Sequence, residues 1–126
     1  MIKSIKKPKK AKSISYYRSK CDKAIQEFGR RVYKKCLICG GEYSCLHHFV
    51  KKSQSTALRY DWNNLIPICN KCHCSIHQGK DDTVTARIVF IKGQDWFDEL
   101  MEKKRLGVGK YYGVTWYKDK LKNIDI

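Results

Sequence analysis

The chain has 126 residues, a formal net charge of +15 and seven cysteines. This length predicts one domain, and because no apolar run approaches about 18 residues, we expect neither a membrane-spanning helix nor a membrane partner. The N-terminus also lacks the apolar run of roughly 7 to 15 residues found in a secretory signal, so we expect a reducing cytoplasm, where paired cysteines bind metal.

The positive charge is concentrated in the first part of the chain. Residues 1–35 contain 13 lysines and arginines against two acidic residues, whereas residues 36–126 contain 14 against ten. A field of this strength attracts a polyanion, and nucleic acid is the expected partner in a cytoplasm. The alternative is a basic tail that serves only solubility. We predict that residues 1–13 form a flexible basic tail and that residues 14–126 form a single domain.

A helix is predicted over residues 15–34, because apolar side chains recur there at steps of three or four. The apolar stripe consists of Ile14, Tyr17, Cys21, Ile25, Phe28 and Val32. We expect this stripe to dock on the metal-bound unit and the opposite, basic face to contact DNA. A basic face that is merely solvated is the alternative. The basic residues that we single out are Arg18, Arg30 and Arg31.

The central segment is predicted to run strand, loop, strand and helix. Residues 42–50 have the β-branched and aromatic content of a short strand, a polar loop follows, and residues 64–68 form a second strand. A helix begins near Asn70, because only helical spacing places His73 and His77, four residues apart, on one face.

Helices are predicted on both sides of this core, which spans residues 36–79. The flanking helical segments are residues 14–35 and 82–123. Residues 83–91 fit a strand by their β-branched content and a helix by their apolar spacing. Residues 94–105 are more clearly helical, and Thr115 is expected to cap a short final helix. The predicted fold class is therefore α+β.

Two Cys-x-x-Cys pairs, Cys36/Cys39 and Cys69/Cys72, bracket the core. Structural zinc prefers four soft ligands in a tetrahedron, and this spacing places two thiolates on one turn with backbone N–H groups directed at them. Gly40 and Gly41 can adopt the positive φ angles that such a turn requires. We therefore predict a structural Zn²⁺ on the four cysteines. The other three cysteines are expected to be free thiols: Cys21, Cys45 and Cys74.

All four histidines lie in the same central stretch. His47 and His48 are adjacent on a predicted strand, so their side chains point to opposite faces. One of them can bind a metal together with His73 and His77 while the other stays free as a base. A three-histidine site with an open position suits a divalent metal that carries water or a phosphate oxygen. The alternative is that the histidines are structural or substitute for a zinc ligand.

The order Cys-x-x-Cys, His-His, Asn-Leu-x-Pro-x-Cys-x-x-Cys-His, with a histidine four residues later, resembles the HNH endonuclease superfamily. The resemblance covers residues 36–77 and implies a ββα-metal core, also called a His-Me finger. It further implies that His48 is the general base and that Asn64, rather than Asn63, holds the loop that orients it. The implied ligands of the catalytic metal are His47, His73 and His77.

The implied reaction is hydrolysis of DNA phosphodiester bonds by a water that His48 deprotonates. The catalytic ion would be Mg²⁺, Mn²⁺ or another transition metal, in addition to the structural Zn²⁺. We expect Lys51, Lys52 and Arg59, in the loop between the strands, to bind flanking phosphates. An ordinary solvated loop is the alternative.

A narrower resemblance involves residues 19–40, the ALRYDWNN segment at 57–64 and residues 93–105. These are similar to phage recombination nucleases of the NinG or Rap type, which implies branched DNA as substrate and a bacterial or phage-infected cell as location. That group tends to have Gly at position 47 and Asn at position 73, where this chain has His. A general phage or bacterial HNH nuclease and a non-catalytic zinc module that binds nucleic acid are the alternatives. A homodimer is left open, since no dimerisation stripe is evident.

Overall fold

The computed structural model describes residues 11–77 and 82–124, which contain five α-helices and one two-stranded sheet. The predicted α+β class is therefore confirmed. Most of the predicted basic tail, residues 1–10, lies outside the described part of the chain. No helix in the described part combines the length and apolar character needed to cross a bilayer.

The helices and strands are numbered in chain order. A 3₁₀ turn at Trp62–Asn64 precedes the second strand. The elements are α1 (Ile14–Val32), β1 (Cys45–His48), β2 (Leu65–Ile68), α2 (Asn70–His77), α3 (Asp82–Lys92), α4 (Gln94–Gly107) and α5 (Val114–Ile124). The predicted order of strand, loop, strand and helix in the central segment is thus present.

Helix α1 begins where Ser13 caps it, since the Ser13 hydroxyl accepts a hydrogen bond from the backbone N–H of Tyr16 at 3.2 Å. The side-chain amide of Gln26 then bonds to both the N–H and the C=O of Leu46, each at 3.0 Å. These two bonds satisfy backbone groups of β1 that its partner strand leaves unpaired. They also fix the helix against the strand that carries the histidine doublet.

Strands β1 and β2 pair antiparallel, with Leu46 opposite Pro67 and His47 opposite Ile66. All four residues of β2 are buried. Leu46 points into the main core, so its neighbour His47 points to the other face of the sheet. The sheet therefore separates an apolar side from a side that carries polar ligands.

The main core lies between α1, the sheet and α5. Its buried side chains include Cys21 and Ile25 of α1, Leu46 of β1, Leu65 of β2 and Tyr117 of α5. The α1 stripe thus contacts α5 as well as the sheet, whereas we had expected it to dock on the metal-bound unit. The final helix is needed to complete the core.

Two of the C-terminal predictions are decided by the structure. Residues 82–92 form a helix, α3, because Ile88 is fully buried and Val84 packs against the cysteine cluster, four residues apart on one helical face. The prediction that Thr115 caps the last helix is wrong, since α5 begins at Val114 and Thr115 lies inside its first turn.

Candidate metal centre and histidine cluster

The four paired cysteines come together at the base of the sheet. The Sγ atoms of Cys36, Cys39, Cys69 and Cys72 all lie within 4.8 Å of one another, and the Cys39 and Cys69 sulfurs are 3.6 Å apart. Four thiolates around one zinc ion, each at about 2.3 Å, are about 3.8 Å apart. The donor set therefore fits a structural metal ion such as zinc.

Backbone N–H groups point at three of the four sulfurs. The N–H groups of Ile38, Gly41 and Cys72 each donate to a cysteine sulfur at 3.4 Å. Gly40 has a φ of 73°, which gives the first turn the positive dihedral expected of it. Burial acts to raise the pKa of Cys36, but hydrogen bonds from backbone N–H groups outweigh it and lower the pKa to about 7.

The thiol of Cys72 is harder to ionise than that of Cys36. Burial, followed by hydrogen bonds to the neighbouring sulfurs of Cys69 and Cys39, raises the pKa of Cys72. Four thiolates in this space repel one another unless a cation balances them. The four sulfurs could therefore hold a structural metal ion such as zinc, which would balance their charge.

A second group of donors lies beside this cluster. The ring centroids of His47, on β1, are 5.4 Å from His73 and 6.4 Å from His77, and the two α2 rings are 4.4 Å apart. The Nε2 atoms of His73 and His77 are 2.9 Å apart. Two imidazole nitrogens bound at right angles to one metal ion, each at about 2.0–2.1 Å, are also about 2.9 Å apart.

The 2.9 Å separation is that of a hydrogen bond between the two rings, and it also equals the spacing of two ligands on one ion. The His47 ring is their neighbour. In residues 11–77 and 82–124, only the four-cysteine set brings three or more donor atoms within 4.8 Å of one another. The histidine cluster, by which we mean His47, His73 and His77, is therefore more open than the cysteine cluster. Its assignment as a catalytic metal site stays a prediction.

Burial favours the neutral forms of His47 and His73. It lowers the pKa of His47 to about 4, with further contributions from the charges of His73, His48 and His77. Burial and then the charge of His77 lower the pKa of His73. Neutral imidazole is the form that binds metal. The Cys45 sulfur lies 3.5 Å from Nδ1 of His73, which leaves the His73 Nε2 atom directed at His77.

His48 lies apart from the cluster, on the other face of β1, as the alternation along a strand predicts. Its Nε2 atom donates to the backbone carbonyl of Arg59 at 2.9 Å. Burial lowers the pKa of His48, although the hydrogen bond to Arg59 opposes that effect. A neutral imidazole that donates through one nitrogen has a lone pair on the other.

Asn64 closes the loop that follows His48. Its buried side chain accepts a hydrogen bond from the N–H of Val50 at 2.7 Å and donates to the carbonyls of Val50 and Leu58 at 3.1 and 3.0 Å. Asn63 instead has an exposed side chain, and its backbone carbonyl accepts from the Trp96 indole at 2.8 Å. Asn64 is therefore the member of the doublet whose side chain holds the loop.

The predicted phosphate-binding residues fall into two groups. Lys51, Lys52 and Arg30 are exposed, and so is Arg31, which stacks on Phe28. Two others have partners within the protein. The Arg18 guanidinium donates to the Tyr117 hydroxyl, and the Arg59 guanidinium donates to both carboxylate oxygens of Asp22.

Both arginines are thus engaged within the fold, and their contact with phosphates stays a prediction. Only 16% of the Arg59 side chain is exposed, and its ion pair with Asp22 occupies the groups that a phosphate would contact. Asp22, Gln26 and Cys45 support the histidines, although sequence reasoning did not assign them to the site. No local spacing identifies such residues, because their partners lie 20 to 37 residues away along the chain.

The comparisons with known proteins add no relative: no protein-family model, curated protein or solved structure matches this chain. The resemblance to HNH endonucleases thus depends on the motif residues alone.

Proposed function

We propose that the chain is a metal-dependent endonuclease of the HNH type that hydrolyses DNA phosphodiester bonds. The proposal rests mainly on the different surroundings of His47 and His48 on the two faces of β1. His47 lies beside His73 and His77 on one face, and His48 is neutral and tethered to a loop carbonyl on the other. Two antiparallel strands followed directly by a helix support the proposal, because the ββα-metal core that the motif implies would have the same order.

His48 is suited to act as a general base. Because Nε2 donates to the Arg59 carbonyl, the lone pair of the neutral ring is on Nδ1. The lowered pKa keeps that lone pair available at pH 7, so Nδ1 can accept a proton from the attacking water. Asn64 contributes by holding both Val50 and Leu58, which fixes the loop to which His48 is bonded.

The histidine cluster would hold the catalytic divalent ion. When bound there, Mg²⁺, Mn²⁺ or another transition metal supplies stabilisation of the charge that develops on the phosphate and the departing oxygen. The cysteine cluster is joined to this site through α2, which carries Cys72 together with His73 and His77. A structural zinc ion would therefore fix the start of the helix that presents two of the three ligands.

DNA is the proposed partner, because the chain has a net charge of +15 and a reaction of this type needs a phosphodiester substrate. Lys51 and Lys52 lie shortly after the base in the chain and are exposed, so they are suited to contact flanking phosphates. Branched recombination intermediates are the substrate class that the NinG or Rap resemblance favours. We propose branched DNA as the substrate on the basis of that resemblance.

A non-catalytic zinc module that binds nucleic acid is the second candidate, and the basic surface of α1 favours it. Such a module needs the cysteine cluster and the lysines. It has no use for the adjacent histidine doublet or for two histidines with Nε2 atoms 2.9 Å apart. The nuclease accounts for these additional residues.

The experiment that tests the proposal offers three substrates to the zinc-loaded protein: a linear duplex, a nicked duplex and a four-way junction. Each is incubated with Mg²⁺, with Mn²⁺ and without added divalent metal. We expect metal-dependent cleavage, with preference for the junction. Equal cutting of all three would remove the branched-DNA assignment, and intact DNA with every metal would support the binding module instead.

A further inference from the structure

A polar groove lies between the loop that joins the two strands and the turn that follows α4. Its volume is about 270 Å³. The proposed mechanism uses none of its lining residues. Those that the argument below needs are Ser53, Gln54, Thr56, Lys104, Val108 and Lys110.

The groove has an electrostatic preference for anions. None of the described residues that line it is acidic, and two of them are lysines. Their neighbours along α4 are already paired: Lys103 contacts Asp61 at 3.1 Å, and Arg105 pairs with Glu102. Lys104 lies between them and points into the groove.

Among the described residues, neither Lys104 nor Lys110 has a carboxylate within 4.0 Å. Gly109 has a φ of 77°, and this tight turn returns the chain so that Lys110 joins Lys104 on the groove wall. Two ammonium groups without carboxylate partners therefore line one concave surface. An anionic ligand would supply the charge that these groups lack.

The opposite wall consists of neutral hydrogen-bonding groups. Ser53, Gln54 and Thr56 come from the loop whose ends are bound to the site of His48, through Asn64 at Val50 and through the carbonyl of Arg59. Hydroxyls, amides and lysines are the groups that proteins commonly use for DNA phosphates. The volume is slightly below the approximately 300–1,000 Å³ of pockets that enclose small molecules, which suits an extended backbone better.

An aromatic side chain stands next to the second lysine. Tyr111 is 86% exposed and Val108, on the same turn, is 75% exposed. Sugars and unpaired bases stack on such exposed rings, whereas an isolated inorganic phosphate makes no use of them. The ring thus favours nucleic acid over a free anion.

We propose that this groove, lined by Lys104 and Lys110, binds the phosphodiester backbone of DNA that flanks the cleavage site. The identity of the ligand rests on the proposed nuclease function. The groove includes residues of the loop that orients His48. Binding of DNA in the groove would therefore help to position the scissile phosphate. DNA bound in the groove would be held by the segment that also tethers the base.

The test compares two doubly substituted proteins of equal charge. Lys104→Gln/Lys110→Gln removes the groove lysines, and Lys92→Gln/Lys122→Gln removes two exposed lysines from α3 and α5 as the matched control. Binding of a fluorescent duplex is followed by anisotropy, without added divalent metal, at several salt concentrations. Zinc content and circular dichroism report whether each protein is folded.

We expect the groove variant to bind about tenfold more weakly and the slope of log K against log salt to fall by about two, as for two lost phosphate contacts. The control should retain nearly the affinity of the unaltered protein. Equal affinities of the two variants, or no duplex binding by the unaltered protein, would overturn the inference. Cleavage is measured separately: DNA that is bound through the groove but never cut contradicts the nuclease alone, whereas cutting with equal affinities contradicts the groove alone.

Discussion

The backbone carbonyl oxygen of Arg59 lies 2.9 Å from Nε2 of His48. The guanidinium of the same arginine bonds to both carboxylate oxygens of Asp22, at 2.9 and 2.6 Å. Asp22 belongs to α1, and Tyr60 also donates to its carboxylate at 2.8 Å. The orientation of His48 therefore depends on α1 through one residue, Arg59.

We expect Asp22→Asn to loosen this connection without changing any residue assigned to chemistry. Loss of the charged partner should lower the free energy of unfolding by about 1–3 kcal/mol. Because the Arg59 carbonyl is then held less firmly, cleavage should fall by roughly tenfold through kcat rather than KM. Urea unfolding and single-turnover cleavage measure the two effects. Glu27→Gln, on an exposed position of the same helix, is the control and should leave both unchanged.

The ion pair between Asp22 and Arg59 also predicts how the stability of the protein depends on pH. Burial acts to raise the pKa of Asp22, but hydrogen bonds from Arg59 and Tyr60 outweigh it and hold the pKa below its ordinary value of 3.8. The folded pKa is thus lower than the unfolded one, so the stabilisation is complete above 3.8 and is lost only as the pH falls through the folded pKa. The stability difference between the unaltered protein and Asp22→Asn should be the same at pH 7 and pH 5. A difference that has already shrunk at pH 5 would refute this assignment.

The cysteine cluster predicts one tightly held metal ion. Cys72→Ser should lose that ion and much of the cooperative unfolding transition, because the binding free energy of a structural zinc contributes to folding. Cys74, two residues along the same helix, is an exposed free thiol, so Cys74→Ser should keep one zinc per chain. Metal analysis after dialysis distinguishes the two. Retention of zinc by Cys72→Ser would exclude the proposed ligand set.

The Asn63–Asn64 doublet offers a matched pair of substitutions. Asn64→Ala leaves the N–H and C=O of Val50 and the C=O of Leu58 without their partner, at a cost of about 2–4 kcal/mol. Asn63→Ala changes only an exposed side chain and should stay within about 0.5 kcal/mol of the original stability. Chemical denaturation measures both. Equal destabilisation by the two changes would show that the loop is held in another way.

Local patterns were sufficient to predict the central unit. The Cys-x-x-Cys turns, the opposite faces of His47 and His48, and the helical spacing of His73 and His77 each depend on residues a few positions apart. Such features are set by backbone geometry, and the structure has the strands and the helix where that geometry requires them.

Contacts between distant residues could not be predicted in this way. The pairing of Asp22 with Arg59 spans 37 residues and that of Arg18 with Tyr117 spans 99, and no periodicity in the sequence marks either. Helix α3 was ambiguous because its β-branched residues favour a strand while its apolar spacing fits a helix face. In the structure, Ile88 is fully buried on that helix. Tertiary burial decided between the two, as it commonly does for short apolar segments.

The central claim is that His48 is the base of a DNA-cleaving site, and the most direct measurement is metal-dependent cleavage by His48→Ala. The variant and the unaltered protein are compared at equal zinc content with Mg²⁺ or Mn²⁺ and the same four-way junction. We predict an intact fold, one retained zinc, and cleavage reduced by about 10²- to 10⁴-fold, the usual contribution of a general base. Undiminished cutting by His48→Ala would contradict the claim.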